Sequence, residues 1–78
     1  MKNPAIQIDP EILGGTPVFW GTRVPIKNLF DYLEEGETVS VFLEDFPTVS
    51  REQVSRVLAI SQKLIFSLSE TFYENPVG

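Results

Sequence analysis

The sequence predicts a mainly α, single-domain protein: a small trihelical helix-turn-helix (homeodomain-like) domain with a short N-terminal β arm or hairpin and a long C-terminal helix. Three observations predict it. Apolar residues recur at helical spacing in three separate segments after Pro25, each with its own start or stop signal. Before Pro25 the apolar runs are too short for helices and are broken by glycine and proline. The third helical segment is about twice as long as the other two. We divide residues 1–78 into a β arm over 5–20, a helical region over 25–70 and a tail over 71–78.

Ile6 and Ile8 alternate with Gln7 and Asp9, which is a short strand signal ended by Pro10. Gly14-Gly15 marks a turn, because glycine reaches positive φ without steric cost. Pro17 to Trp20 is a second apolar run, stopped by Gly21. Two brief strands joined by a loop of about seven residues are expected. An isolated two-stranded hairpin is unstable in water, so this one must lie on the helices or pair with a second subunit. Ile6, Ile8, Val18, Phe19 and Trp20 are the candidate residues for that contact.

Pro25 suits a helix start, and Ile26, Leu29, Phe30 and Leu33 form one apolar stripe. Gly36 stands where a helix-ending glycine belongs, so the first helix is expected over 26–35. Thr38 is a candidate cap for the second, in which Val39, Phe42, Leu43 and Phe46 keep helical spacing up to Pro47. Val39-Ser40-Val41 has strand propensity, but the later spacing fits a period of 3.6 better. Ser50 and Gln53 form a capping box, with Val49 and Val54 placed as a hydrophobic staple. The third helix should run from Arg51 to Ser69 or beyond, on the stripe Val54, Val57, Leu58, Ser61, Leu64, Ile65, Leu68 and Phe72. Its C-terminal half should project past the core. Ile60 and Phe66 lie off the stripe, so that half is apolar on more than one side, and Phe66, Phe72 and Tyr73 are aromatic. Ile60, Phe66, Phe72 and Tyr73 are therefore candidates for partner binding.

Composition narrows the chemistry. With no cysteine and no histidine, disulfides, thiolate metal sites and the commonest general base are excluded. The carboxylates, such as Glu34-Glu35-Glu37, read as a solvated acidic face, and no spacing demands a metal. No catalytic residue, metal or cofactor is expected. The glycine-rich stretch fails the phosphate-loop template: Gly15 and Gly21 are six positions apart, and Thr22-Arg23 follows where Lys-Ser/Thr belongs. Arg23 could touch a phosphate, but a guanidinium tying the loop to a carboxylate or carbonyls is the preferred reading. No signal peptide or membrane span is visible, so a cytoplasmic protein is expected.

The second and third helices have the lengths of a helix-turn-helix. In that motif the start of the second member meets base edges, here Ser50, Arg51, Gln53, Ser55 and Arg56. A net charge of −5 opposes strong DNA binding, and Gln53 already has a capping role. A chain of this size also buries only about 60–70% of its unfolded surface, which makes oligomerisation plausible.

The combination of Asp9-Pro10, Gly14-Gly15, Pro17-Val18, Gly21-Thr22-Arg23 with Pro25, Gly36 and Phe46-Pro47 resembles the DUF433 family over about Ile8 to Ile60. The resemblance implies a helix-turn-helix-like domain with a β arm, often dimeric. It also implies a VapB-like antitoxin of a type II toxin–antitoxin pair. Such a protein binds and neutralises a PIN-like ribonuclease toxin encoded next door, and represses its own operon by binding operator DNA as a homodimer. The chain departs from the family pattern at Trp20 and at Val39-Ser40-Val41, where its surface is more apolar. The alternatives are a stand-alone dimeric helix-turn-helix transcriptional regulator and a homodimerisation module without DNA binding.

Overall fold

A computed structural model describes residues 4–74, with side-chain environments described through Ser69. The order is β1 (Ile6–Gln7), a 3-10 turn (Leu13–Gly15), β2 (Val18–Phe19), α1 (Ile26–Glu34), α2 (Val39–Asp45) and α3 (Arg51–Glu74). It is the mainly α architecture expected, with the short hairpin ahead of three helices and the longest helix last.

The strands pair antiparallel, Ile6 opposite Phe19 and Gln7 opposite Val18. The Trp20 N–H adds one further bond to the Ala5 carbonyl at 3.0 Å. The strand stops at Gln7, so Ile8 is 66% exposed and belongs to the loop. That loop covers residues 8–17, three longer than expected. It is built locally: the Asp9 carboxylate accepts from the Glu11 N–H at 2.9 Å, and the Thr16 N–H and hydroxyl both donate to the Leu13 carbonyl. Leu13, Gly14 and Gly15 all take positive φ. Glycine supplies two of these without penalty, whereas Leu13 at φ 50° costs about 1–2 kcal/mol.

A second reversal follows, which the sequence reading did not anticipate. The chain turns at Gly21, φ 77°, and returns alongside β2. Phe19 N–H donates to Val24 O, and Ile26 N–H to Pro17 O, both at 3.0 Å. The Thr22 hydroxyl donates to Phe19 O at 2.8 Å and accepts from Val24 N–H at 3.0 Å. So β2 has backbone partners on both edges. Pro25 then caps α1 with φ −63° and ψ 140°, one residue outside the helix.

Each helix boundary has an identifiable cause. Past α1, Gly36 N–H bonds Leu33 O and Glu37 N–H bonds Tyr32 O, both at 3.0 Å, with Gly36 at φ 86°. This is the Schellman pattern, which gives the Leu33 and Tyr32 carbonyls partners past the helix end. Thr38 Oγ1 accepts from Val41 N–H at 3.1 Å and starts α2. Helix therefore wins over strand at Val39–Val41. α3 has 24 residues, about 36 Å at 1.5 Å per residue, and continues beyond Ser69, within the expected range.

The core comprises Ala5, Val18, Phe19, Leu29, Phe42, Val49, Val54 and Val57, each under 5% exposed. Phe42 is its centre. Its ring lies 5.9 Å from Phe19, 5.4 Å edge-on from Tyr32 and 5.0 Å from Phe46. The Tyr32 hydroxyl donates to Asp45 Oδ2 at 2.6 Å and ties α1 to the end of α2. That hydrogen bond, with smaller contributions from burial and the carboxylate's charge, raises the Tyr32 pKa above 10.0. A raised tyrosine pKa favours folding below the unfolded value, and the contribution disappears as pH rises through the folded value. Tyr32→Phe should therefore lower the thermal midpoint at pH 7 and flatten the stability loss above pH 10. Thermal melts from pH 7 to 11 measure both, and an unchanged alkaline limb would contradict the assignment.

Candidate interaction surfaces

The N-terminus of α3 is fastened from three directions. Val49 and Val54 are both buried and close the turn after α2. Ser50 Oγ accepts from Gln53 N–H at 3.1 Å, and Gln53 Oε1 accepts from Ser50 N–H at 2.9 Å, which completes the expected capping box. Gln53 Nε2 also donates to Trp20 O at 2.8 Å, bolting α3 to the hairpin. One amide thus satisfies a helix start and a tertiary contact. Gln53→Ala should destabilise the domain by about 1–2 kcal/mol, from the lost cap plus one hydrogen bond. Gln53→Glu keeps the acceptor for Ser50 N–H but sets a carboxylate oxygen against the Trp20 carbonyl in place of the amide donor. Urea denaturation should place both Gln53→Ala and Gln53→Glu below native.

These bonds bear on the candidate DNA face. A glutamine reads adenine by offering carbonyl and amide together. Here both ends of Gln53 are engaged inside the domain, so it presents no free pair. Ser50 is engaged in the same cap. Arg51 reaches back to Ser40 Oγ at 3.1 Å while remaining exposed. Ser55 is exposed and Arg56 half-buried on the following turn. Arg51, Gln53, Ser55 and Arg56 share the first turns of α3, with Glu52 among them and Ser50 just ahead of the helix.

The hairpin residues divide differently. Val18 and Phe19 are at 0% exposure, spent on the protein's own core, and offer no surface to a second subunit. Ile6 is half-buried against that core. Ile8 and Trp20 alone of the five are exposed. The hairpin is stabilised by its own helices, which removes the need for a partner that an isolated hairpin would have. Arg23 is exposed at the rim of an open groove lined by Gln7, Ile12, Gly21, Thr22, Val24 and Thr48. It makes no hydrogen bond or ion pair among the described residues, so the expected loop tie does not form. The loop is held instead by Thr22 and by Gly21 N–H donating to Gln7 Oε1 at 3.1 Å. Among the described residues no three His, Cys, Asp or Glu side chains gather to hold a metal ion. No helix there is long and apolar enough to cross a membrane.

Among the described residues, the distal half of α3 carries five of the eight exposed large apolar side chains. Val57 is the last buried residue of those described, and Leu58 still packs on the core. Beyond it Ile60, Leu64, Ile65, Phe66 and Leu68 are all 45–62% exposed. Of the expected partner residues, Ile60 and Phe66 have exposed side chains. Phe72 and Tyr73 lie within the span of α3, but their side chains fall outside the described residues. Leu64, Ile65 and Leu68 belong to the same surface. Their signal was legible in the stripe itself, which continues past the reach of α1 and α2.

The fold and its surface define a class: a small trihelical domain with a β arm, whose last helix extends beyond the core. The family described as "Protein of unknown function (DUF433)" matches residues 6–59, and the chain belongs to that family. A relative, "Uncharacterized protein y4eO" of Sinorhizobium fredii (strain NBRC 101917 / NGR234), is 42% identical over 45 residues. The aligned part is 58% of this chain and 20% of the relative, so the chain spans about a fifth of that protein's length. No solved structure matches the chain. The family match ends at Ala59, one residue before the exposed apolar run begins.

Proposed function

We propose that this chain is a non-enzymatic, VapB-like antitoxin that binds and neutralises a PIN-like ribonuclease toxin, and that the distal half of α3 supplies the contact. The observation that carries the reading is the uncovered run of Ile60, Leu64, Ile65, Phe66 and Leu68 on a helix that the domain core cannot reach. Exposed apolar clusters of this size on a small domain mark protein contacts. Charge adds support. A ribonuclease holds phosphates on a basic surface, and a partner of net charge −5 complements it. The family resemblance supplies the toxin class.

Operator binding as a dimer is the second part of the reading. It draws on the α2–turn–α3 arrangement and on Arg51 and Ser55, which remain exposed. It draws nothing from Gln53, whose amide is engaged. Neutralisation is accordingly the primary role and DNA binding the secondary one. Co-expression with the product of the neighbouring reading frame tests the first. The expected result is a co-purifying complex and restored growth when that product alone is toxic. Separate elution with no rescue would remove the antitoxin reading, and a DNA-binding regulator or a homodimerisation module would replace it.

A further inference from the structure

Arg23 is the loose end of the glycine-rich turn. It stands exposed at the rim of an open groove beside the start of α3, with no hydrogen bond or ion pair among the described residues. We propose that Arg23 is a phosphate contact for duplex DNA, gripping one strand of the backbone while Arg51 grips the other across the face of α3. The inference rests on the operator-binding part of the reading above and gives that site a residue outside the helix-turn-helix.

Three observations select a nucleic-acid phosphate. The first is what lines the groove. Among the described residues no carboxylate lines it, although the chain has eleven. Arg23 and Thr48 are both exposed there, and neither side chain has a hydrogen-bond partner among the described residues. A guanidinium presents a planar fork of donors that matches two phosphate oxygens.

The second is placement. The Gln53 amide donates to Trp20 O at 2.8 Å and holds the Gly21 turn against one edge of α3. Arg51 reaches Ser40 Oγ at 3.1 Å on the other edge. At 100° per residue, positions 51 and 53 stand about 160° apart around the helix. Glu52, Ser55 and Arg56 occupy the arc between them that faces away from the buried Val54 and Val57. A helix with its side chains is about 10–12 Å across, and the major groove of B-DNA is about 12 Å wide. With this face seated in the groove, one arginine lies toward each phosphate strand.

The third is charge. The chain has three arginines, Arg23, Arg51 and Arg56, and the fold gathers all of them around the start of α3. Lys27, the next basic residue after Arg23, is engaged by Asp31 at 2.9 Å. At a net charge of −5 most of the surface repels a polyanion, so binding depends on the few cations that meet it. An acidic peptide would also satisfy Arg23, but it gives no reason for a second arginine on the opposite edge of the helix.

Fluorescence anisotropy measures binding of the protein to two duplexes between about 50 and 200 mM salt. One duplex comes from upstream of its own reading frame, and the other is unrelated and of equal length. Arg23→Ala should weaken both by the same factor, at least about tenfold, because it deletes a charged hydrogen bond that reads no base. It should also make the salt slope shallower by about 0.9, one phosphate contact, whereas Arg23→Lys keeps the slope. A purely structural role would not move that slope. Thermal melts of both variants should match native, since Arg23 is exposed and unpaired. If the native protein binds and Arg23→Ala keeps its affinity and slope, this inference alone is overturned. A native protein that binds neither duplex at about 50 mM salt removes the operator reading and this inference together. Arg23→Ala that keeps DNA affinity but loses the neighbouring gene product would put an acidic protein segment at the groove, and that result too overturns the proposal.

Discussion

Phe42→Ala should lower unfolding free energy by about 3–5 kcal/mol, the cost of deleting a fully buried aromatic ring. The site gives little scope for relaxation. Phe42 is at 0% exposure and touches rings from three directions: Phe19 on the hairpin, Tyr32 on α1 and Phe46 after α2. Its removal breaks the ring contact between the hairpin and the helices and leaves Tyr32 held only by Phe46 and Asp45. Domains typically have about 0.05–0.15 kcal/mol of stability per residue, so a chain this short starts from roughly 4–12 kcal/mol. The variant should be partly unfolded at 37 °C. Urea denaturation followed by circular dichroism reads the effect, and a loss under about 1 kcal/mol would mean that Phe42 is not the centre of the core.

The Ile60→Asp/Phe66→Asp double variant should leave stability nearly unchanged and abolish partner binding. Both side chains are about half exposed and lie beyond the last core residue, Val57. Changing them removes no core contact. At an interface, large apolar anchors each contribute about 2 kcal/mol or more when they are hot spots, so losing two weakens binding by at least about a hundredfold. Affinity for the neighbouring gene product is read by calorimetry and stability by thermal melting. A variant that loses both together would place Ile60 and Phe66 in the fold and not on a binding surface.

Much of the architecture was legible because its signals are local. The Ser50–Gln53 box, the Thr38 cap and Gly36 each act within four residues, and each marks a boundary found in the structure. The projecting half of α3 was legible from length alone. What escaped the sequence reading was tertiary. Gln53 Nε2 meets Trp20 O across 33 positions, and Tyr32 meets Asp45 across 13. Periodicity cannot place such pairs. The return of Val24 and Pro25 alongside β2 was missed because it depends on the Thr22 hydroxyl bridging Phe19 O and Val24 N–H, a contact with no hydrophobic pattern. It also explains why Gly21-Thr22-Arg23 with Pro25 is so recognisable a motif: Gly21 makes the positive-φ turn, Thr22 locks it and Pro25 sets the entry to α1. Arg23, the most chemically suggestive of the four, has no part in that lock. The dimer role assigned to Val18 and Phe19 rested on the instability of a bare hairpin, and the helices supply the cover.

The central claim is that the distal half of α3 is the surface a partner covers. Amide hydrogen exchange over residues 60–69 tests it most directly. In the chain alone these amides should exchange rapidly, because the large apolar side chains of that part of the helix are exposed and not packed on the core. Adding the neighbouring gene product should slow them at least about tenfold, with little change across the core residues of α1 and α2. Protection confined to the hairpin or to Ser50–Arg56, with 60–69 still exchanging rapidly, would contradict the claim.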